Sequence, residues 1–256
     1  MSDPIFLDPL SYASYYVEQL YQGQVMGTTT CFFVKRHDTT YLITNWHVVT
    51  GKHPRTLAIE HPQGVCPDQM KVEVFKDQDN VERADFFVDL YAKGGTPLWR
   101  EHPIHRQNVD VVAIEVVIPD GLAISYVEDC IEPFNEKTQA GIADDVFVVG
   151  YPFGLSVADK FPIWKRASVA SEPILDAEGL PLIYVDTATR SGMSGSPVVY
   201  RQRRGISMIN KEKQQFSRFF MSFVGVYSGR IGENKDFTVQ LGKVWKASVI
   251  DEIIVL

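Results

Sequence analysis

Cysteine is scarce in this chain of 256 residues, where Cys31, Cys66 and Cys130 form an odd number at scattered spacing without a C-x-x-C pair. Such usage excludes a disulfide framework and a thiolate metal site, and predicts three free thiols in a reducing compartment. Runs of about eighteen apolar residues are absent, which excludes an ordinary membrane-spanning helix. The opening "MSDPIFLDPLSYASYY" has neither the basic start nor the apolar stretch of a secretory leader. A cytosolic protein is therefore expected. Positive charge is not in excess: the net charge is −7, so the clustered Lys and Arg that drive phosphate binding are not the chain's dominant feature. Nucleic acid and membranes are accordingly not expected as partners. Short-period repeats and low-complexity tracts are also missing.

What remains is a succession of short β-rich runs, "TCFFV", "TYLIT", "VDVVAIEVV", "DVFVVG", "PLIYV", "SPVVY" and "FFMSFVGVYS", most of them bounded by Gly, Pro, Asp or Asn. Barrels or sandwiches have this pattern. Helical periodicity is confined to the margins, in "LSYASYYVEQLY" near the start and "KVWKASVIDEIIVL" at the end, where Val244, Val249, Ile250, Ile253 and Ile254 fall roughly on one face. The polar, turn-rich "DCIEPFNEKTQAGIADD" predicts a boundary between two β-domains, residues 1–130 and 131–256.

Three segments carry chemistry. In "SGMSGSP", Ser194 stands beside glycines that let the backbone pack closely enough for N–H groups to face one reacting oxygen. A nucleophilic serine needs a base, and the base needs a group that fixes its tautomer. His47, in "YLITNWHVV", lies where an apolar strand ends and can emerge at a barrel rim. The remaining histidines fit less well: His37 is in a charged turn, His53, His61 and His102 precede prolines, and His105 shares a loop with His102. The spacing of "HPIH" could suit a metal, but its proline and the lack of partner ligands point to a loop. No metal or cofactor is expected. Asp110 opens a buried strand, where it is either the orienting carboxylate or a turn residue, since an unpaired acid there is costly. Asp85 and Asp89 are the next candidates.

The order His47, Asp110, Ser194 and the blocks "TNWHVV", "VDVVAI", "VFVVGYPFGL" and "GMSGSP" resemble the trypsin-like serine peptidases, in particular their bacterial HtrA-type branch. An α/β-hydrolase would run Ser, Asp, His and carry G-x-S-x-G, whereas Ser196 holds the last position here. The resemblance, over about residues 25 to 250, implies an all-β fold of two antiparallel β-barrels with a short C-terminal helix and the active site between the barrels. It further implies Ser194 as nucleophile, His47 as base, Asp110 as orienter, and the N–H groups of Gly192 and Ser194 as an oxyanion hole. The pocket would be floored by Ala188, bordered by Thr189 and Arg190, and walled by Tyr227, Ser228 and Gly229.

Departures from the family pattern narrow these expectations. Met193 stands where trypsin proper has the Asp that pairs with a new amino terminus, so no zymogen activation of that kind is expected. About sixty residues follow Ser194, which predicts no appended peptide-binding domain. An uncharged floor disfavours Arg or Lys and predicts a small or medium apolar residue on the acyl side of the cut. Arg190 would either face solvent or reach for an acidic group. The basic stretch "RQRRGISMINKEKQQFSR" is a solvated loop, a contact for an acidic partner, or a gate. Three readings meet on these residues: an endopeptidase acting on proteins or peptides under the control of a regulatory protein partner, a silent pseudoprotease that binds peptides, and a serine esterase.

Overall fold

The computed structural model describes residues 7–77, 82–131, 139–158, 161–188, 190–203, 208–209, 212–213, 219–230 and 240–255. Seven strands form the first sheet: β1 (Tyr15–Tyr21), β2 (Gln24–Arg36), β3 (Thr39–Thr44), β4 (Gln69–Asp77), β5 (Glu82–Asp89), β6 (Trp99–Glu101) and β7 (Val112–Val116). Their order is β5-β4-β1-β2-β3-β7-β6, antiparallel in each pair. Beyond the edge strands, Leu98 donates its N–H to the carbonyl of Leu90 at 3.0 Å, and Tyr91 bridges Pro97, so the sheet curls back toward itself.

The second sheet is a closed barrel. It comprises β8 (Asp145–Gly150), β9 (Ile163–Val169), β10 (Leu182–Asp186), β11 (Pro197–Arg203), β14 (Phe219–Arg230) and β15 (Leu241–Lys246), in the order β10-β15-β14-β11-β8-β9. The pairs Val185–Val169 and Asp186–Ser168 shut it. Two short strands, β12 (Met208–Ile209) and β13 (Glu212–Lys213), pair within the basic stretch, most of which lies outside the described residues. At its start, Arg201 is anchored on Asp8 at 3.0 Å and lies over the ring of Trp164.

Alternation along the strands explains how one chain feeds three cores. On β2, Phe32 faces the core between the two sheets while Phe33 faces the interior of the first, and on β3 Ile43 and Leu42 divide in the same way. The barrel's own interior is built from Val146, Val148, Val185, Val198, Val244 and neighbours. Helix α1 (Trp46–Thr50) follows β3 directly, and helix α2 (Val127–Cys130) leads to the expected boundary, whose residues 132–138 lie outside the described set. Helix α3 (Ser248–Ile254) drives Val249, Ile250, Ile253 and Ile254 into the intersheet core.

Both expected terminal helices need correction. The segment "LSYASYYVEQLY" is a single turn over Pro9–Tyr12 followed by β1, because Tyr15 and Val17 pack inward between the flanking β2 and β4. In the last segment, residues through Lys246 form β15, placing Val244 in the barrel interior and Trp245 in the intersheet core, and only Ser248–Ile254 is helical. Flanking strands supply hydrogen-bond partners in both places, which outweighs local helix preference. Cys31, Cys66 and Cys130 are free.

Candidate active site

His47 is the second residue of the five-residue helix α1, which ends where Gly51 takes a left-handed φ of 65° and returns its N–H to the carbonyl of His47 at 2.9 Å. Asp110, 4% exposed, sits just before β7. Its carboxylate holds His47 at two points: Oδ2 is 2.7 Å from Nδ1, and Oδ1 accepts the backbone N–H at 2.9 Å. A carboxylate on Nδ1 keeps the proton there, leaving Nε2 free to accept one. The Asp110 carbonyl in turn accepts from Asn45 Nδ2 at 2.6 Å, so the acid is fixed through backbone and side chain alike. Burial pushes the imidazole's pKa down, but the charge and hydrogen bond of Asp110, helped by Glu60, outweigh it and leave His47 above its ordinary value. Asp85 and Asp89 are elsewhere: both lie on edge strand β5, opposite Glu73 and Gln69.

His47 and Ser194 line the same cleft between the sheets. A depression of about 310 Å³ on one side includes Gln19, Thr28, Thr29, Ser191 and Gly192, and one of about 540 Å³ on the other includes Arg55, Glu60, Asp110, Ser228, Gly229 and Lys243. Ala188 is half-buried and Arg190 exposed, whereas Thr189 lies outside the described residues. Tyr227 is buried, its ring against Gly242, where an added Cβ would lie 2.6 Å from Cε2. The "HPIH" segment is a loop: buried His102 accepts the N–H groups of Ile104 and His105 on Nδ1 and pairs with Glu252 of α3 at 2.8 Å.

The loop bearing Ser194 is pinned carbonyl by carbonyl. Ser191 accepts from the Phe153 N–H at 2.7 Å, Gly192 from Thr30 Oγ1 at 2.8 Å, Met193 from the Ser196 N–H at 3.1 Å, and Ser194 from both the Thr30 N–H at 3.0 Å and Thr29 Oγ1 at 2.7 Å. In a trans peptide the N–H opposes the carbonyl, so pinning Ser191 and Met193 sets the directions of the Gly192 and Ser194 N–H groups. Neither N–H has a hydrogen-bond partner among the described residues. Gly192 is at φ 94°, and a Cβ there would lie 2.3 Å from the Tyr151 carbonyl oxygen, so only glycine fits. The sequence pointed to His47, Asp110, Ser194 and Gly192 as candidates and gave no sign of Asn45, Thr29, Thr30 and Phe153, whose hydrogen bonds hold them.

Met193 is fully buried in the barrel core with Val148, Val198 and Tyr227. Its thioether thus anchors the loop by apolar burial. Met193→Ala is expected to lower stability by about 2–5 kcal/mol through the cavity it leaves, as read by urea denaturation followed by circular dichroism. A loss within the range of a surface substitution would contradict that anchoring.

A β-fold of this topology, with a histidine–carboxylate pair and a serine in the intervening cleft, defines the class of the trypsin-like serine proteases. Residues 29–206, more than half of the chain, match the family described as the trypsin-like peptidase domain, and the chain belongs to that family. Among solved structures it is similar to a serine endoprotease from Yersinia pestis, at TM-score 0.55 and 12% identity, over 96% of this chain and 62% of that one. The chain thus spans less than two thirds of that protein, and the likeness is one of fold. A second similar structure is the Rv3671c protease of M. tuberculosis in its inactive form, at TM-score 0.45 and 16% identity, over 96% of this chain and 88% of that one. No curated protein matches the chain.

Proposed function

We propose that the protein is an endopeptidase in which Ser194 is the nucleophile, His47 the general base and then acid, Asp110 the orienter, and the N–H groups of Gly192 and Ser194 the oxyanion hole. The observation that carries this reading is the two-point grip of Asp110 on His47, in a cleft that His47 shares with Ser194. In the first step Ser194 Oγ bonds to the scissile carbonyl carbon while its proton passes to His47 Nε2. Collapse of the tetrahedral adduct breaks the C–N bond, and the same proton leaves with the amine. Water then repeats the sequence on the acyl-enzyme, releasing the acid and restoring Ser194.

A small or apolar residue on the acyl side is the proposed preference. Ala188, expected at the floor, carries no charge, and Ser228 and Gly229 of the expected wall line the cleft beside His47 and Ser194 with small groups. Arg190 is exposed, in keeping with a surface rather than a pocket role.

A fluorophosphonate tests the reading, with intact mass and peptide mapping as readout. Modification confined to Ser194 is expected. A folded protein that stays unmodified would overturn the assignment in favour of a silent binding module. The pH dependence adds a second test, because only neutral His47 can take the proton. The labelling rate should fall as pH falls through the His47 pKa, and with Asp110 raising it, the midpoint should lie above the ordinary value of about 6.5. A midpoint below that value would contradict the pairing.

A further inference from the structure

We infer that Thr30, a residue of the first sheet, is the positioning residue that holds the oxyanion hole of the second barrel in its working form; the inference rests on the reading of Ser194 as nucleophile. Thr30 is completely buried near the middle of β2. Its hydroxyl accepts the Tyr151 N–H at 3.2 Å and donates to the Gly192 carbonyl at 2.8 Å, joining the two segments that flank the Gly192 N–H. Its backbone N–H holds the Ser194 carbonyl at 3.0 Å. Its own carbonyl accepts from Thr44 Oγ1 at 3.0 Å, so the clamp is itself fixed to β3, the strand that delivers His47.

The approach is as close as the chain permits. A Cβ on Gly195 would lie 2.1 Å from the Thr30 carbonyl oxygen, and one on Gly150 would lie 2.7 Å from the Thr30 hydroxyl. No water-sized gap separates strand and loop at these points. One hydroxyl therefore serves two buried backbone groups, accepting from one and donating to the other. Without it, the Gly192 carbonyl would seek another donor, and rotation of the Gly192–Met193 peptide would strain the two peptides joined to it, which carry the Gly192 and Ser194 N–H groups. The loop that reacts belongs to one half of the chain, and the groups that shape it belong to the other.

The test compares Thr30→Val, Thr30→Ala and Thr30→Ser with wild type and Ser194→Ala, reading fluorophosphonate labelling rate, kcat and KM on a peptide substrate, and cooperative unfolding. Thr30→Val and Thr30→Ala should lower the labelling rate and kcat by about tenfold to 100-fold with KM nearly unchanged, as expected when reacting groups are misplaced rather than removed. Thr30→Ser, which keeps the hydroxyl, should recover most of the loss. The comparison uses whichever hydroxyl-free variant retains a cooperative unfolding transition. Labelling and kcat at the wild-type level in that variant would overturn the inference, as would a Thr30→Ser variant no better than Thr30→Ala. If wild type itself labels no faster than Ser194→Ala, the failure belongs to the underlying reading of Ser194, and the inference falls with it.

Discussion

Ser194→Ala is expected to lower turnover by roughly 10⁴-fold or more while leaving the fold in place. The magnitude follows from the loss of the atom that forms the acyl bond; binding and the pull of the Gly192 and Ser194 N–H groups on the carbonyl oxygen survive. The fold should survive because the hydrogen bonds Ser194 makes to Thr29 and Thr30 run through its carbonyl, which alanine keeps. Substitution away from buried contacts shifts stability by about 0.5 kcal/mol at most. Steady-state hydrolysis of a peptide, with thermal unfolding as a control, checks both halves. Undiminished hydrolysis by a clean Ser194→Ala preparation would place the chemistry on another residue.

Asp110→Asn carries the second large effect, a fall of about 10⁴-fold in kcat. The carboxylate now accepts twice from His47, at Nδ1 and at the backbone N–H. An asparagine can keep the backbone bond only by turning its NH₂ toward Nδ1, which makes Nδ1 an acceptor and moves the ring proton to Nε2. The base is then already occupied at the nitrogen that must receive the serine proton. Nitrogen NMR of the His47 ring would report the tautomer directly, alongside kcat. Asp89→Asn serves as the comparison, since Asp89 faces Gln69 Nε2 at 2.7 Å on an exposed edge strand, and it should retain wild-type turnover. If Asp110→Asn were mild and Asp89→Asn severe, the orienting acid would have been misassigned.

The candidate site was legible in the sequence wherever it is written in consecutive residues. A histidine at the end of an apolar strand, an acid at the mouth of another and a serine among glycines each state a local requirement, and the structure brings the first two to 2.7 Å. The all-β class was legible for the same reason, from alternation and turn residues. The supports of the site were not. Thr29 and Thr30 read only as β-formers in "GTTTCFFV", because nothing local reveals that their hydroxyls meet a loop more than 160 positions later. Asn45 stands at the N-cap of α1, yet its side chain makes no capping bond and goes to Asp110, a partner that nothing local reveals. The same blindness to distant partners explains β1 and β15. Their apolar spacing suits a helix as well as a strand, and the flanking strands that decide between them are remote in sequence.

Helix α3 shows how far this dependence reaches. It packs against β6 and β7 and shares a core with Val109 and Val111, the two neighbours of Asp110 in sequence, while Glu252 ties it to His102 upstream of that acid. A ribosome adds these supporting residues only after it has added Ser194. During synthesis, His47, Asp110 and Ser194 can all be present while the wall behind Asp110 is still being made, so the packing around that acid is complete only once α3 has been added.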